Sequence, residues 1–162
     1  MDDTELVRLR GLVGNEYEPA TYDVSRLDIL KFCTAIGETR AIYLDPVEAR
    51  LAGHPDVAAP TGFYASLGLS RGSIVHRDRL GVDGLPLDGA FEGLRIVAGE
   101  TRVRFFGCIH AGDRITVRQR LVDVYPKDGS SGPMIVVVYE RTYESPDGDL
   151  VVVERYSRIA RH

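Results

Sequence analysis

In the first third of the chain, apolar residues recur at helical spacing in short bursts divided by glycine and proline. Leu6, Leu9, Leu12 and Val13 predict a short helical turn that stops at Gly14. Tyr22 and Val24 then alternate with polar neighbours, and Pro19 bars a helix, so residues 17–24 read as a first short strand. Ser25 is placed to cap a helix, with Asp28 three residues on as its capping-box partner. Ile29, Cys33 and Ile36 follow at i, i+4 and i+7, and Gly37 supplies the stop. Asp45-Pro46-Val47-Glu48 opens another helix, because Asp45 can cap and Pro46 suits the first helical position. That helix ends near Ala52, where Gly53-His54-Pro55 breaks it, and residues 56–60 read as loop.

A longer helix is predicted from residue 61 to about residue 76. It is small or apolar almost all round, the pattern of a helix buried on several sides. Residues 81–93, rich in glycine and proline, read as a surface connection. The period then changes to two. Residues 96–106, 114–124, 134–143 and 150–159 predict strands, with turns at Ala111-Gly112-Asp113 and Pro146-Asp147-Gly148-Asp149. A strand, then helices, then four antiparallel strands make an α+β fold: a curved antiparallel sheet wrapped around one long central helix. A single domain over residues 1–162 is expected.

Composition narrows the function. The net charge of −4 gives no basic field for nucleic acid or an anionic membrane. No apolar run approaches the roughly 20 residues of a membrane-spanning helix, and Met1-Asp-Asp-Thr-Glu5 lacks the apolar core of a secretion signal. Cys33 and Cys108 are therefore expected as free thiols in a reducing cytoplasm. His54, His76, His110 and His162 have no metal-ligand spacing, so no metal is expected, and His54 and His110 read as loop or turn residues. Ser66 lacks the Gly-x-Ser-x-Gly setting of a nucleophile elbow.

Several short stretches, each weak alone, fall in an order that resembles a known family. They are Gly14-Asn15-Glu16-Tyr17, Tyr22-Asp23-Val24-Ser25, Asp45-Pro46 with Ala49 and Gly53, Ala59-Pro60, Phe105-Phe106, and Ala111-Gly112-Asp113. Ser131-Gly132-Pro133-Met134 and Asp147-Gly148-Asp149-Leu150 continue the series. Over nearly its whole length the chain resembles the MaoC-like, R-specific enoyl-thioester hydratase/dehydratase family of the hotdog superfamily. The likeness is to the N-terminal-domain type, which also supplies one subunit of heterodimeric 3-hydroxyacyl-ACP dehydratases. The resemblance implies an acyl-CoA or acyl-ACP thioester substrate and no other cofactor. It also implies a homodimer or a heterodimer with a second hotdog chain.

Active members carry Gly-Asp-x-Asn-Pro-x-His after the first long helix, where Asp and His hold a water and exchange a proton at the substrate's α-carbon. Laid on this chain the motif reads Gly37-Glu38-Thr39-Arg40-Ala41-Ile42-Tyr43. Glu38 and Tyr43 thus occupy the catalytic positions. Tyrosine titrates at about 10 in water, far from neutral pH. Glutamate moves the carboxylate by one methylene, and misplacement by about 1 Å can cost ~10²-fold in rate. Arg40 brings a fixed positive charge that lowers a neighbouring carboxylate's pKa. By the same resemblance Gly62 lies where a backbone N–H meets the thioester carbonyl, and Pro60, Thr61 and Phe63 would line the acyl channel beside Arg40. The expected role is a dehydratase/hydratase component that shapes the channel while a partner supplies Asp and His. A self-sufficient hydratase or thioesterase using Glu38, and a non-enzymatic acyl-thioester binding module, are the alternatives. Arg71, Arg77, Arg79, Arg95, Arg102 and Arg104 could meet a carrier phosphate or lie on solvated faces.

Overall fold

A capping box fixes where the first long helix begins. In the computed structural model, which describes residues 3–67, 94–129 and 132–161, the Ser25 side chain accepts from the Asp28 N–H and the Asp28 carboxylate accepts from the Ser25 N–H. Helix α2 (Arg26–Ile36) follows and stops at Gly37, whose left-handed φ of 71° suits glycine. Before it come α1 (Asp3–Arg10) and β1 (Glu16–Asp23). After it come a 3₁₀ turn at Ala41–Tyr43 and α3 (Pro46–Leu51), capped by Asp45, whose carboxylate accepts from the Val47 N–H at 2.7 Å. The helix expected from residue 61 enters as a 3₁₀ turn, Thr61–Phe63, and residues 64–67 are helical. Its expected remainder, with Arg71, His76, Arg77 and Arg79, and the connection expected at 81–93 lie outside the described residues.

The rest is sheet: β2 (Arg95–Phe105), β3 (Arg114–Gly129), β4 (Gly132–Glu144) and β5 (Leu150–Arg161). The strand order is β1-β3-β4-β5-β2, with every pair antiparallel. Strand β3 is longer than the alternation predicts. Its last residues, Tyr125 to Gly129, have turn-like composition but pair in register with Gly132 to Val136. Pro126 lies beyond the stretch of β3 that pairs with β1, which ends at Arg120, and beyond the Leu121 and Val124 backbone groups held by Gly14, Asn15 and Arg10.

Alternate side chains of the inner strands point to one face and form two apolar clusters. One gathers Ile29, Cys33, Phe63, Leu67, Ile115, Val117, Tyr143 and Val152. The other gathers Leu9, Leu121, Ile135, Val137, Tyr139, Tyr156 and Ala160. The helix start at residues 63–67 therefore packs on the inner sheet face, the hotdog arrangement.

A polar row lies between the two clusters. Gln119, Arg141 and Glu154 are direct cross-strand neighbours on β3, β4 and β5. Arg141 is 9% exposed and Glu154 8%, so this is a buried ion pair, with Nη1 to Oε2 at 3.2 Å. The guanidinium also donates to Gln119 Oε1 at 2.7 Å and to the Tyr156 hydroxyl at 3.1 Å. It lies 4.8 Å over the Tyr156 ring. The Tyr143 hydroxyl faces Glu154 Oε2 at 3.4 Å, and burial pushes the Tyr143 phenol above its usual range, so it stays protonated.

The two sheet edges differ. On β1 a register shift falls between Tyr17 and Ala20, at Pro19, and Glu16, Glu18 and Asp23 add charge. These are the devices that blunt an edge against pairing. Edge strand β2 also carries a register shift, between Ala98 and Thr101, and the charges of Arg95, Glu100, Arg102 and Arg104, but it has no proline and exposes Val97 and Phe105.

Candidate functional site

The loop from Gly37 to Tyr43 is built around Arg40. The chain leaves α2 through the left-handed Gly37, so the Glu38 side chain turns back over its own loop and is only 12% exposed. Glu38 Oε1 accepts from the backbone N–H groups of Thr39 and Arg40 at 2.9 and 3.0 Å. The Arg40 guanidinium closes on the same carboxylate, with Nε to Oε1 at 3.0 Å and Nη2 to Oε2 at 2.6 Å. It also lies 4.7 Å over the ring of Tyr43. One residue therefore engages both of the positions that the resemblance assigns to the acid and the base.

The electrostatic consequence is direct. The Arg40 side-chain hydrogen bonds, followed by its backbone N–H, hold the Glu38 carboxyl down to about 2. A carboxylate so strongly held is a weak proton acceptor at neutral pH. Tyr43 is half-buried against the apolar cluster and its carbonyl accepts the long contact from Cys33 Sγ at 3.8 Å. Replacing Arg40 with Gln removes the side-chain partners, and the Glu38 pKa should rise from about 2 toward the ordinary carboxylate range; carboxyl-carbon NMR across a pH titration reads this. A depressed folded-state pKa contributes stability above the unfolded value, and that contribution is lost as pH falls through about 2.

The second stretch, Pro60 to Phe63, stands beside this loop. The Ala58 N–H donates to the Ile42 carbonyl at 3.1 Å, and the Phe32 and Phe63 rings meet edge to face at 5.6 Å. Pro60 and Phe63 are buried, whereas Thr61 and Gly62 are exposed at the start of the helix. A Cβ on Gly62 would sit 3.4 Å from the Phe32 ring, ordinary contact, so space alone does not require glycine there. Among the described residues the Glu38 carboxylate bonds within its own loop, to residues 39 and 40. Of the arginines weighed for a carrier phosphate, Arg102 pairs with Glu100 at 2.7 Å and Arg104 lies over Phe106. A separate concavity of about 530 Å³ between β1, β3 and β4 is lined by Glu16, Glu18, Arg118, Arg120, Glu140 and Glu144, and shares no residue with the loop.

Two features escape the sequence reading. The polar row of Gln119, Arg141 and Glu154 had a signal: Arg141 shares inward parity with Val137, Tyr139 and Tyr143 on β4. His54 and His110 had none, being 56 residues apart, yet their rings meet at 3.0 Å between Nδ1 and Nε2. Both lie in loop or turn segments as expected, but half-buried and against each other, and burial above all holds the His110 imidazole below its ordinary range.

Comparison with known proteins agrees with this frame. A family model described as the FAS1-like dehydratase domain region matches residues 11–154. The chain is 30% identical over 154 residues to a UPF0336 protein of Streptomyces griseus, covering 94% of each. A UPF0336 protein of Streptomyces coelicolor is 34% identical over 110 residues, 67% of each chain. Among solved structures, the ChsH1-ChsH2 complex of Mycobacterium tuberculosis superposes with a TM-score of 0.73 at 18% identity, over 96% of this chain and 88% of that one. The HadBC (3R-hydroxyacyl-ACP dehydratase) complex of the same organism gives 0.71 at 19% identity, over 91% and 96%. The R-hydratase PhaJ1 of Pseudomonas aeruginosa gives 0.66 at 17%, over 93% and 86%. At these identities the structural likeness is one of fold, while the family model runs from β1 through the Arg40 loop into β5. The chain belongs to the FAS1-like dehydratase-region family, and its fold is the hotdog of the MaoC-like dehydratases and hydratases.

Proposed function

We propose that this chain is the channel-shaping subunit of a 3-hydroxyacyl-thioester dehydratase or enoyl-thioester hydratase, completed by a second hotdog chain that carries the catalytic Asp and His. The observation that carries this reading is the closure of Arg40 on both Glu38 and Tyr43. Reversible loss of water across Cα–Cβ needs a base and an acid that exchange protons near neutral pH. A carboxylate held at about 2 does not meet that requirement. The parts that bind rather than react remain: a helix start at Thr61–Phe63 with Gly62 exposed, and the buried Pro60 and Phe63 behind it. N–H groups at such a start lack partners within the helix and suit a thioester carbonyl oxygen.

The edge contrast supports a partner. Strand β2, proline-free and exposing Val97 and Phe105, is the edge we assign to the second hotdog chain, while β1 is interrupted by Pro19. Two of the solved structures with this fold are themselves named as two-chain complexes. The test is purification from the native host through this chain, followed by mass spectrometry of what accompanies it. Recovery of a second hotdog chain bearing Gly-Asp-x-Asn-Pro-x-His in equal amount is expected. Recovery of this chain alone, as a homodimer, would sink the proposal.

A further inference from the structure

The turn after α3 and the turn between β2 and β3 bring together three side chains that chemistry rarely leaves idle. The ligand atoms of His54, Cys108 and His110 all lie within 4.8 Å of one another. We propose that these three residues form a site for a zinc-class divalent cation, with two imidazole nitrogens and one thiolate as ligands and a fourth position open to solvent.

The backbone holds the ligands in place without a metal. Gly53 turns at a φ of 91°, and the His54 N–H donates to the Ala49 carbonyl at 3.0 Å, which ties His54 to the end of α3. His110 sits in an isolated bridge to Ala58, flanked by Ala59 N–H to Ile109 carbonyl at 2.7 Å and Ala111 N–H to Val57 carbonyl at 3.0 Å. The pairing fixes the segment that carries Cys108 and His110 to the residues that follow His54.

Orientation supplies the second argument. Asp113 accepts from the His110 backbone N–H at 2.7 Å, and its carboxylate lies 3.6 Å from His110 Nδ1. A carboxylate behind Nδ1 favours the proton there and leaves the Nε2 lone pair free to ligate, the arrangement found behind metal-bound histidines. His110 Nε2 faces His54 Nδ1 at 3.0 Å. Two imidazole nitrogens on a tetrahedral zinc stand about 3.3 Å apart, and a thiolate and an imidazole about 3.6 Å. The histidine pair needs only a few tenths of an ångström. Cys108, within 4.8 Å of both, needs at most roughly 1 Å, which an exposed side chain on a turn can supply by changing rotamer. Two nitrogens and one sulfur suit zinc or copper rather than magnesium or calcium.

The other thiol makes the test clean. Cys33 is buried in the core, so a sulfur signal from bound metal reports Cys108. The reduced, metal-stripped full chain without a histidine tag is titrated with Co²⁺, then with Zn²⁺ in a calorimeter. One ion per chain is expected, with a thiolate-to-cobalt charge-transfer band. Cys108→Ser should abolish the band, Cys108→Ser and His54→Gln should each weaken Zn²⁺ binding at least tenfold, and Asp113→Asn should weaken it by roughly 10–100-fold. Zn²⁺ should also raise the melting temperature of the natural chain and not that of Cys108→Ser. The exposed Cys108 can be replaced without disturbing the core, so that variant stays informative if a histidine variant misfolds. A cobalt spectrum without sulfur character, or Zn²⁺ binding unchanged in Cys108→Ser, would overturn the proposal.

Discussion

Glu154→Ala should destabilise the fold by about 3–5 kcal/mol, the largest stability loss expected from a single polar substitution in this chain. The substitution leaves Arg141 charged and 9% exposed in the centre of the sheet, with neutral partners in Gln119, Tyr156 and Tyr143. A guanidinium cannot shed its proton to escape, as a buried lysine can. For a domain of this size the loss corresponds to roughly 6–20 °C in melting temperature, read by thermal or urea denaturation. Glu154→Gln should cost less, because the amide keeps an acceptor for Arg141 Nη1. The double change Arg141→Met with Glu154→Leu should recover most of the loss, since exchanging a buried pair for apolar groups is often neutral or better. If Glu154→Ala cost less than about 1 kcal/mol, the pair would have to be reached by water and the row would not be the buried feature described.

Assembly with a hotdog chain carrying Gly-Asp-x-Asn-Pro-x-His should raise enoyl-thioester hydration by at least ~10²–10⁴ over the buffer background, which this chain alone should not exceed, the usual contribution of a positioned acid and base. The gain belongs to the complex and not to the sum of separate activities, because the acyl channel and the proton-exchanging pair lie on different chains in this proposal. Glu38→Gln in this subunit should leave the rate of the complex within about twofold, since a carboxylate held near 2 is not the proton acceptor. Crotonyl-CoA hydration followed by loss of enoyl absorbance reads both effects. Replacing the partner's motif histidine should remove the gain. An equal loss from Glu38→Gln would assign the chemistry to this loop instead.

Much of this fold is legible in the sequence because local signals and tertiary packing agree. Ser25 with Asp28, Asp45 with Pro46, and Gly37, Gly112 and Gly148 stand where caps and positive-φ turns require them. The alternation along β4 and β5 gives both the strands and the inward face. What failed to show was set by distant partners. The tail of β3, Tyr125 to Gly129, is a strand only because Gly132 to Val136 pair with it. The 3₁₀ turn at Ala41–Tyr43 carries no periodic signal, being shorter than one 3.6-residue turn of α-helix. For the site, the motif alignment located the loop and anticipated that Arg40 would depress Glu38. It did not foresee that the same guanidinium covers Tyr43, nor that an isolated bridge at Ala58 and His110 would seat two histidines face to face.

The most direct test of whether this loop does chemistry uses the purified chain with no partner, as the natural sequence and as Glu38→Gln, assayed with crotonyl-CoA. With Arg40 closed on Glu38, neither protein should turn over substrate, and the two traces should coincide with buffer. Turnover by the natural chain that disappears in Glu38→Gln would contradict the partner-completed site and make Glu38 the base of a self-sufficient enzyme.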